Sequence, residues 1–150
     1  ESGRPLHLVG AGELEAVTAF RIQFHVPGDV IPKQRAQVGR HGAYYPSRPR
    51  GSKRLSYPEY KELVRVQCVD QLLKAGWGWL PDDTTWGISI KARLGRGDAD
   101  NVLGSVMDAL QSILWADDAQ VLQASVALER VTTKQERGVD VQAWVLEEKP

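Results

Sequence analysis

Residues 85–121 read TWGISIKARLGRGDADNVLGSVMDALQSILWADDAQV. The first ten alternate, with Trp86, Ile88, Ile90, Ala92 and Leu94 on one side and Ser89, Lys91 and Arg93 on the other. That is the period of a half-buried strand, here with a basic outer row. After the turn-like GRGD the period changes. From Asn101 to Leu114, Val102, Leu103, Val106, Met107, Ala109, Leu110, Ile113 and Leu114 gather on one side of a wheel turning about 100° per residue. Asn101, Gly104, Ser105, Asp108, Gln111 and Ser112 take the other side, so a helix is expected over 101–114.

Working outward, AFRIQFHV repeats the strand signature, with Phe20, Ile22, Phe24 and Val26 facing inward and Arg21, Gln23 and His25 outward. Pro27 and Gly28 end it. The stretch IPKQRAQVGRHGAYYPSRPRGSKR reads as a long loop or an irregular hairpin. Ser56 and Glu59 form a capping box with Pro58 in the first turn, which starts a helix that runs to Ala75 and stops at Gly76. Its apolar stripe is Tyr60, Leu63, Val64, Cys68 and Leu72. Beyond WADD, strands are expected over about 120–131 and 139–146, joined as a hairpin by TTKQERG. Residues 1–16 read as a loose arm, and 17–150 as a single domain. The order β, loop, α, β, α, β, β implies an α/β (α+β) fold: a small mixed β-sheet with two helices packed on one face.

Composition agrees with one compact domain: 150 residues, 42% hydrophobic and 25% charged. No apolar run approaches the roughly 18 residues of a membrane span, and no signal sequence is expected at the start. Cys68 stands alone, which excludes an internal disulfide and a multi-cysteine zinc site. A cytoplasmic protein with no membrane partner is expected. The nineteen basic and nineteen acidic residues cancel, yet they are segregated. Between Asp29 and Glu59 there is no acid, while Lys33, Arg35, Arg40, Arg48, Arg50, Lys53 and Arg54 supply seven positive charges. Such asymmetry points to a polyanionic partner on one face.

The acids are segregated too. Asp98, Asp100, Asp108, Asp117 and Asp118 fall within 97–121, where no lysine or arginine stands. Clustered carboxylates repel unless a cation lies between them, and hard oxygen ligands in small number suit Mg²⁺. In extended backbone Asp98 and Asp100 would point the same way, although either also serves as a helix N-cap. Asp117 and Asp118 follow an apolar helix where the dipole disfavours acids, so no capping role is expected for them. Asp108, on the polar helix face, is expected to be exposed. Trp77, Trp79 and Trp86 are expected at the core edge, with Trp115 anchoring the acidic turn. His7, His25 and His41 show no ligand spacing.

DADN followed by MDALQSILWADDAQV resembles the RusA family of Holliday junction resolvases, whose pattern is D-x-D-N, a helix containing D-A-L, then W-x-D-D-x-Q-V. IPKQRAQVGRHGAYYPS and SYPEYKELV resemble segments that family members carry upstream, so the resemblance spans about 20–146. It implies an intertwined homodimer that cuts four-way (branched) DNA junctions with Mg²⁺, or Mn²⁺ as a substitute. By position, Asp98, Asp100 and Asp118 would be the essential acids, and these with the adjacent Asp117 the metal ligands. Two departures stand out. Gly104 replaces a lysine that assists catalysis in the family, leaving that role to Lys33, Lys91, Arg93 or Arg96. The segment between helix and tryptophan is also about one residue shorter than in the best-known members.

The reaction so implied is metal-assisted phosphodiester hydrolysis, with activity at neutral to alkaline pH because protons compete with the ion. DNA attachment would fall to the seven cations of the basic stretch, with Lys91, Arg93 and Arg96 extending the patch and Tyr44 and Tyr45 available to stack on unpaired bases. A helix over 101–114 would hold Asp100 and Asp118 roughly 20 Å apart. They meet either within one chain, if the helix is short or bent and the next strand returns alongside, or across a two-fold axis. The competing functions are a silent or weakly active branched-DNA-binding dimer and a less selective flap nuclease.

Overall fold

The computed structural model describes residues 20–34, 37–44, 54–76, 80 and 83–146. The expected arm at 1–16, Trp77 and Trp79, His7, Tyr45, and the cations Arg35, Arg48, Arg50 and Lys53 lie outside them. The strands are β1 (Arg21–Pro27), β2 (Gln37–Gly39), β3 (Gly42–Tyr44), β4 (Trp86–Leu94), β5 (Val121–Arg130) and β6 (Gly138–Val145). The helices are α1 (Tyr57–Ala75) and α2 (Ala99–Leu110), with 3-10 turns at Asp118–Gln120 and Lys134–Glu136.

Local signals set these elements. β1 alternates exposed and buried residues as its sequence does. The basic stretch contains a short hairpin, β2 with β3, one of the two forms its composition allowed. At the start of α1 the Glu59 amide donates to Ser56 Oγ at 3.3 Å and the Ser56 amide to Glu59 Oε1 at 2.9 Å. Gly76 closes the helix in the left-handed region, with φ 69°.

The larger sheet has the order β1-β6-β4-β5. β6 is antiparallel to both β1 and β4, and β4 is parallel to β5. The hairpin expected between the last two strands therefore does not form: β4 lies between them. Composition explains the exchange. A strand flanked on both edges must present a full apolar row, and β6 does so with Val139, Val141 and Ala143, all buried. β5 offers Ala124, Val126 and Leu128 opposite Ile88, Ile90 and Ala92, and beyond Val121 and the exposed Leu122 its other residues are small or polar, which suits an edge. Adjacent parallel strands need a crossover, and α2 is that crossover between β4 and β5.

Both helices cover the apolar face, α1 over β1, α2 beside β5, and each against the other. The core between comprises Phe24, Tyr60, Val64, Cys68, Ile88, Ile90, Val102 and Val106 among others. Each such side chain withdrawn from water contributes about 1.5–3 kcal/mol. Trp86, the first residue of β4, is fully buried and meets Phe20 edge-on at 6.1 Å. Cys68 is buried, and that burial pushes its thiol up to about 12, so it is packing material.

Candidate active site

The acids stand at the two ends of one crossover. After Leu94 the chain turns through Gly97, whose φ of +125° is open to glycine and strained for other residues. The Gly97 carbonyl accepts from the Arg130 guanidinium at 2.9 Å, so the end of β5 holds the turn that delivers Asp98. Asp98 is the N-cap of α2, its carboxylate accepting from the Asn101 amide at 3.3 Å. Asp100 stands exposed in the first turn, where the helix dipole favours negative charge. The extended-strand geometry expected for this pair does not hold, because β4 has already ended and the two residues flank a helix start.

At the other end α2 stops at Leu110, short of the expected Leu114. Gln111 is extended, and Ser112 takes a φ of +80° while its amide donates to the Trp115 carbonyl at 2.6 Å. The tight turn still buries Leu114, so the apolar stripe continues where the helix does not. Trp115 is buried edge-on to Trp86 at 5.7 Å and donates from Nε1 to Asp118 Oδ1 at 2.9 Å, the anchoring role expected of it. Asp117, for which no capping role was expected, caps the 3-10 turn by accepting from the Ala119 amide at 3.0 Å. Gln120 accepts from the Ala116 and Asp117 amides and donates to the Thr84 carbonyl at 2.8 Å. The acidic turn is thereby tied to the strand entering the core.

The register decides how these pairs relate. β4 and β5 run parallel from Trp86 beside Val121 to Leu94 beside Arg130. Asp117 and Asp118 precede the start of β5, while Asp98 and Asp100 follow the end of β4, so they lie past opposite ends of the same two strands. Nine residues of β4 span roughly 30 Å, and the twelve residues of α2 roughly 18 Å. Among the described residues no group of three or more His, Cys, Asp or Glu is placed to hold a metal ion. A chain returning beside α2 to unite the acids, one of the two expected routes, is thus excluded. The four aspartates of one chain remain two separate pairs.

Asp108 is half-buried, contrary to the expected exposure. It accepts from Tyr57 OH at 2.7 Å and Lys61 Nζ at 3.1 Å. Burial alone would raise its carboxyl, but the hydrogen bonds from Tyr57 and Lys61, with the charges of Lys61 and Lys33, hold it below the ordinary value. Nearby, Arg65 donates from Nε to the Ala109 carbonyl at 2.9 Å. The network joins α1 to α2.

Of the expected DNA-binding cations, Lys33, Arg40, Arg54 and Arg96 are exposed, Arg40 at the β2–β3 turn. Lys91 faces Glu129 at 3.6 Å, and Arg93 donates to Asp140 at 3.0 Å and to the Glu136 carbonyl at 3.2 Å. His25, on the outer face of β1, bonds Asp140 at 2.7 Å. A shallow cavity of about 480 Å³ opens there, lined by Gln23, His25, Ser89, Lys91, Asp140 and Gln142 among others. The basic outer row is therefore largely matched by acids of neighbouring strands. His25, Asp140 and Arg93 come from three strands whose order no local sequence pattern states.

Asp98, Asp100 and Asp117 are exposed and Asp118 half-buried, so the two turns present carboxylate oxygens, the ligand type that hard divalent cations take. Residues 27–142 match the family of endodeoxyribonuclease RusA, and the chain belongs to that family. No curated protein matches the chain. Among solved structures, the CDP complex of IspF from Plasmodium falciparum is 9% identical, with the likeness covering 85% of this chain and 94% of that chain at a TM-score of 0.34. At that level it bears on neither fold nor function. No helix among the described residues is long and apolar enough to cross a membrane.

Proposed function

We propose that this chain acts as a homodimeric, divalent-cation-dependent endonuclease that resolves four-way DNA junctions. The observation that carries the reading is the split of the aspartates between opposite ends of the β4–α2–β5 crossover in a chain of this family. A two-fold axis that brings Asp98 and Asp100 of one chain toward Asp118 of the other would gather three carboxylates. Mg²⁺ or Mn²⁺ held by them would lower the pKa of a water and offset charge on the phosphate. The residues of this chain prepare that geometry. The cap on Asn101 fixes Asp98, the Trp115 indole orients Asp118, and the Gln120 strap to Thr84 fixes the turn carrying it. Two symmetry-related sites suit paired cuts on opposing strands.

Gly104, where the resemblance to the RusA family implies a lysine, favours a second reading: a dimer that binds branched DNA and cuts it weakly or not at all. Incubation with a synthetic four-way junction and Mg²⁺ or Mn²⁺ separates the two. Paired nicks are expected from the wild-type chain, and Asp98→Asn should abolish them while retaining or improving junction binding, since it removes negative charge near phosphate. Equal turnover by that variant refutes the assignment, and cuts on substrates lacking a fourth arm would identify a flap nuclease instead.

A further inference from the structure

Lys33 lies where no pattern in the sequence places it. Its amide donates to the Asn101 carbonyl at 2.9 Å, which pins the loop after β1 to the first turn of α2. Its stem then crosses Gly104. A methyl group added there would stand 3.0 Å from Lys33 Cδ, 3.3 Å from Cβ and 3.7 Å from Cγ. A bare backbone in the middle of a helix costs stability, and here it opens the groove in which an aliphatic stem lies while its charged end stays in water.

The surroundings give that end no close ion pair among the described residues. Lys33 is exposed and makes no ion pair among the described residues, whereas Lys61, Lys74 and Lys91 each face a carboxylate. Its charge acts on Asp108, whose hydrogen bonds come from Tyr57 and Lys61. Gly104 stands one helical turn beyond Asp100, on nearly the same face. A cation with no ion pair among the described residues is thus clamped to the helix that carries the exposed acids Asp98 and Asp100.

We propose that Lys33 is the cation of this site that contacts the phosphate being cut, an inference that rests on the nuclease reading above. In the step it assists, a water oxygen bonds to phosphorus, the bond from phosphorus to one deoxyribose oxygen breaks, and the water proton leaves to solvent or to that oxygen. Lys33 keeps its own proton. Its ammonium offsets the charge that grows on the non-bridging oxygens.

Single-turnover cutting of a labelled four-way junction, binding of that junction in Ca²⁺, and acylation of lysines by an amine-reactive acetyl ester test this together. Lys33→Met, which keeps the stem on Gly104, should slow cutting about 100-fold with junction affinity changed less than about threefold. Lys33→Arg should retain part of the rate. Gly104→Ala should lower cutting while melting no earlier than wild type, because the helix gains and only the stem is displaced. Junction DNA should protect Lys33 from acylation and leave Lys74, on α1, reactive. A charge returned from the helix itself, in the double variant K33M/G104K, should restore cutting. Lys33→Met cutting within twofold of wild type overturns the inference, as does an equal loss of binding and cutting, which would mark an ordinary backbone contact. A wild-type chain that binds junctions without cutting them overturns the nuclease reading instead, whatever Lys33 protection shows.

Discussion

Asp108 is the residue whose role its neighbours in sequence do not disclose. It sits on the polar side of an amphipathic helix, where solvent is the default surrounding, yet Tyr57 and Lys61 from α1 close over it. Asp108→Asn keeps the shape and removes the charge from both bonds, at a cost of about 1–3 kcal/mol in urea denaturation. The acid dependence follows from the direction of its shift. Because its carboxyl ionises more readily in the folded chain, the stabilisation is present above the unfolded-state value of about 3.9. It is lost as pH falls below that, through the lower folded value. Asp140 behaves alike: burial would raise it, but the hydrogen bonds and charges of His25 and Arg93 hold it down. Stability should therefore fall on acidification below about pH 4, and Asp108→Asn should flatten that fall in denaturation curves taken across the range. Gly104 carried a trace of the same hidden geometry, since a bare position on a polar helix face allows a close approach. Nothing local names Lys33 as what approaches.

At the scale of elements, legibility depended on whether ends are set by local chemistry. α1 begins and ends where its capping box and Gly76 place it, because both signals act within a few residues of the backbone groups they satisfy. Ser56→Ala should cost about 1 kcal/mol, read as a melting temperature lower by about 2–4 °C with the junction-cutting rate unchanged. α2 was overextended for the opposite reason: Ile113 and Leu114 continue the apolar stripe, but a turn through Ser112 packs them against the core, and periodicity does not distinguish a helix from a turn that buries the same side chains. β5 and β6 were located as strands and mispaired as neighbours. Alternation reports which face of a strand is wet and is silent about what lies along its edges.

For the whole molecule, the parallel pairing of β4 with β5 is the arrangement on which the proposed site depends. If a site takes Asp98 and Asp100 from one chain and Asp118 from its partner, Asp98→Asn and Asp118→Asn homodimers should both be inactive. Mixed after unfolding and refolding together, they form heterodimers in which one site carries both substitutions and the other carries none. The mixture should then nick junctions on one strand at a time, read as single nicks on a denaturing gel, and silence from the mixture would sink the shared-site reading.

The residues alone mark an α+β fold with its strands, helices and acidic motif, because periodicity, caps and turns act between neighbours in the chain. Tertiary structure alone decided that β6 lies between β1 and β4, that β5 returns parallel to β4, and that Lys33 lies on Gly104. Those facts depend on pairings between residues far apart in sequence, where many partners satisfy the same local pattern and only simultaneous packing selects one. That selection is what sends the two pairs of aspartates to opposite ends of the sheet.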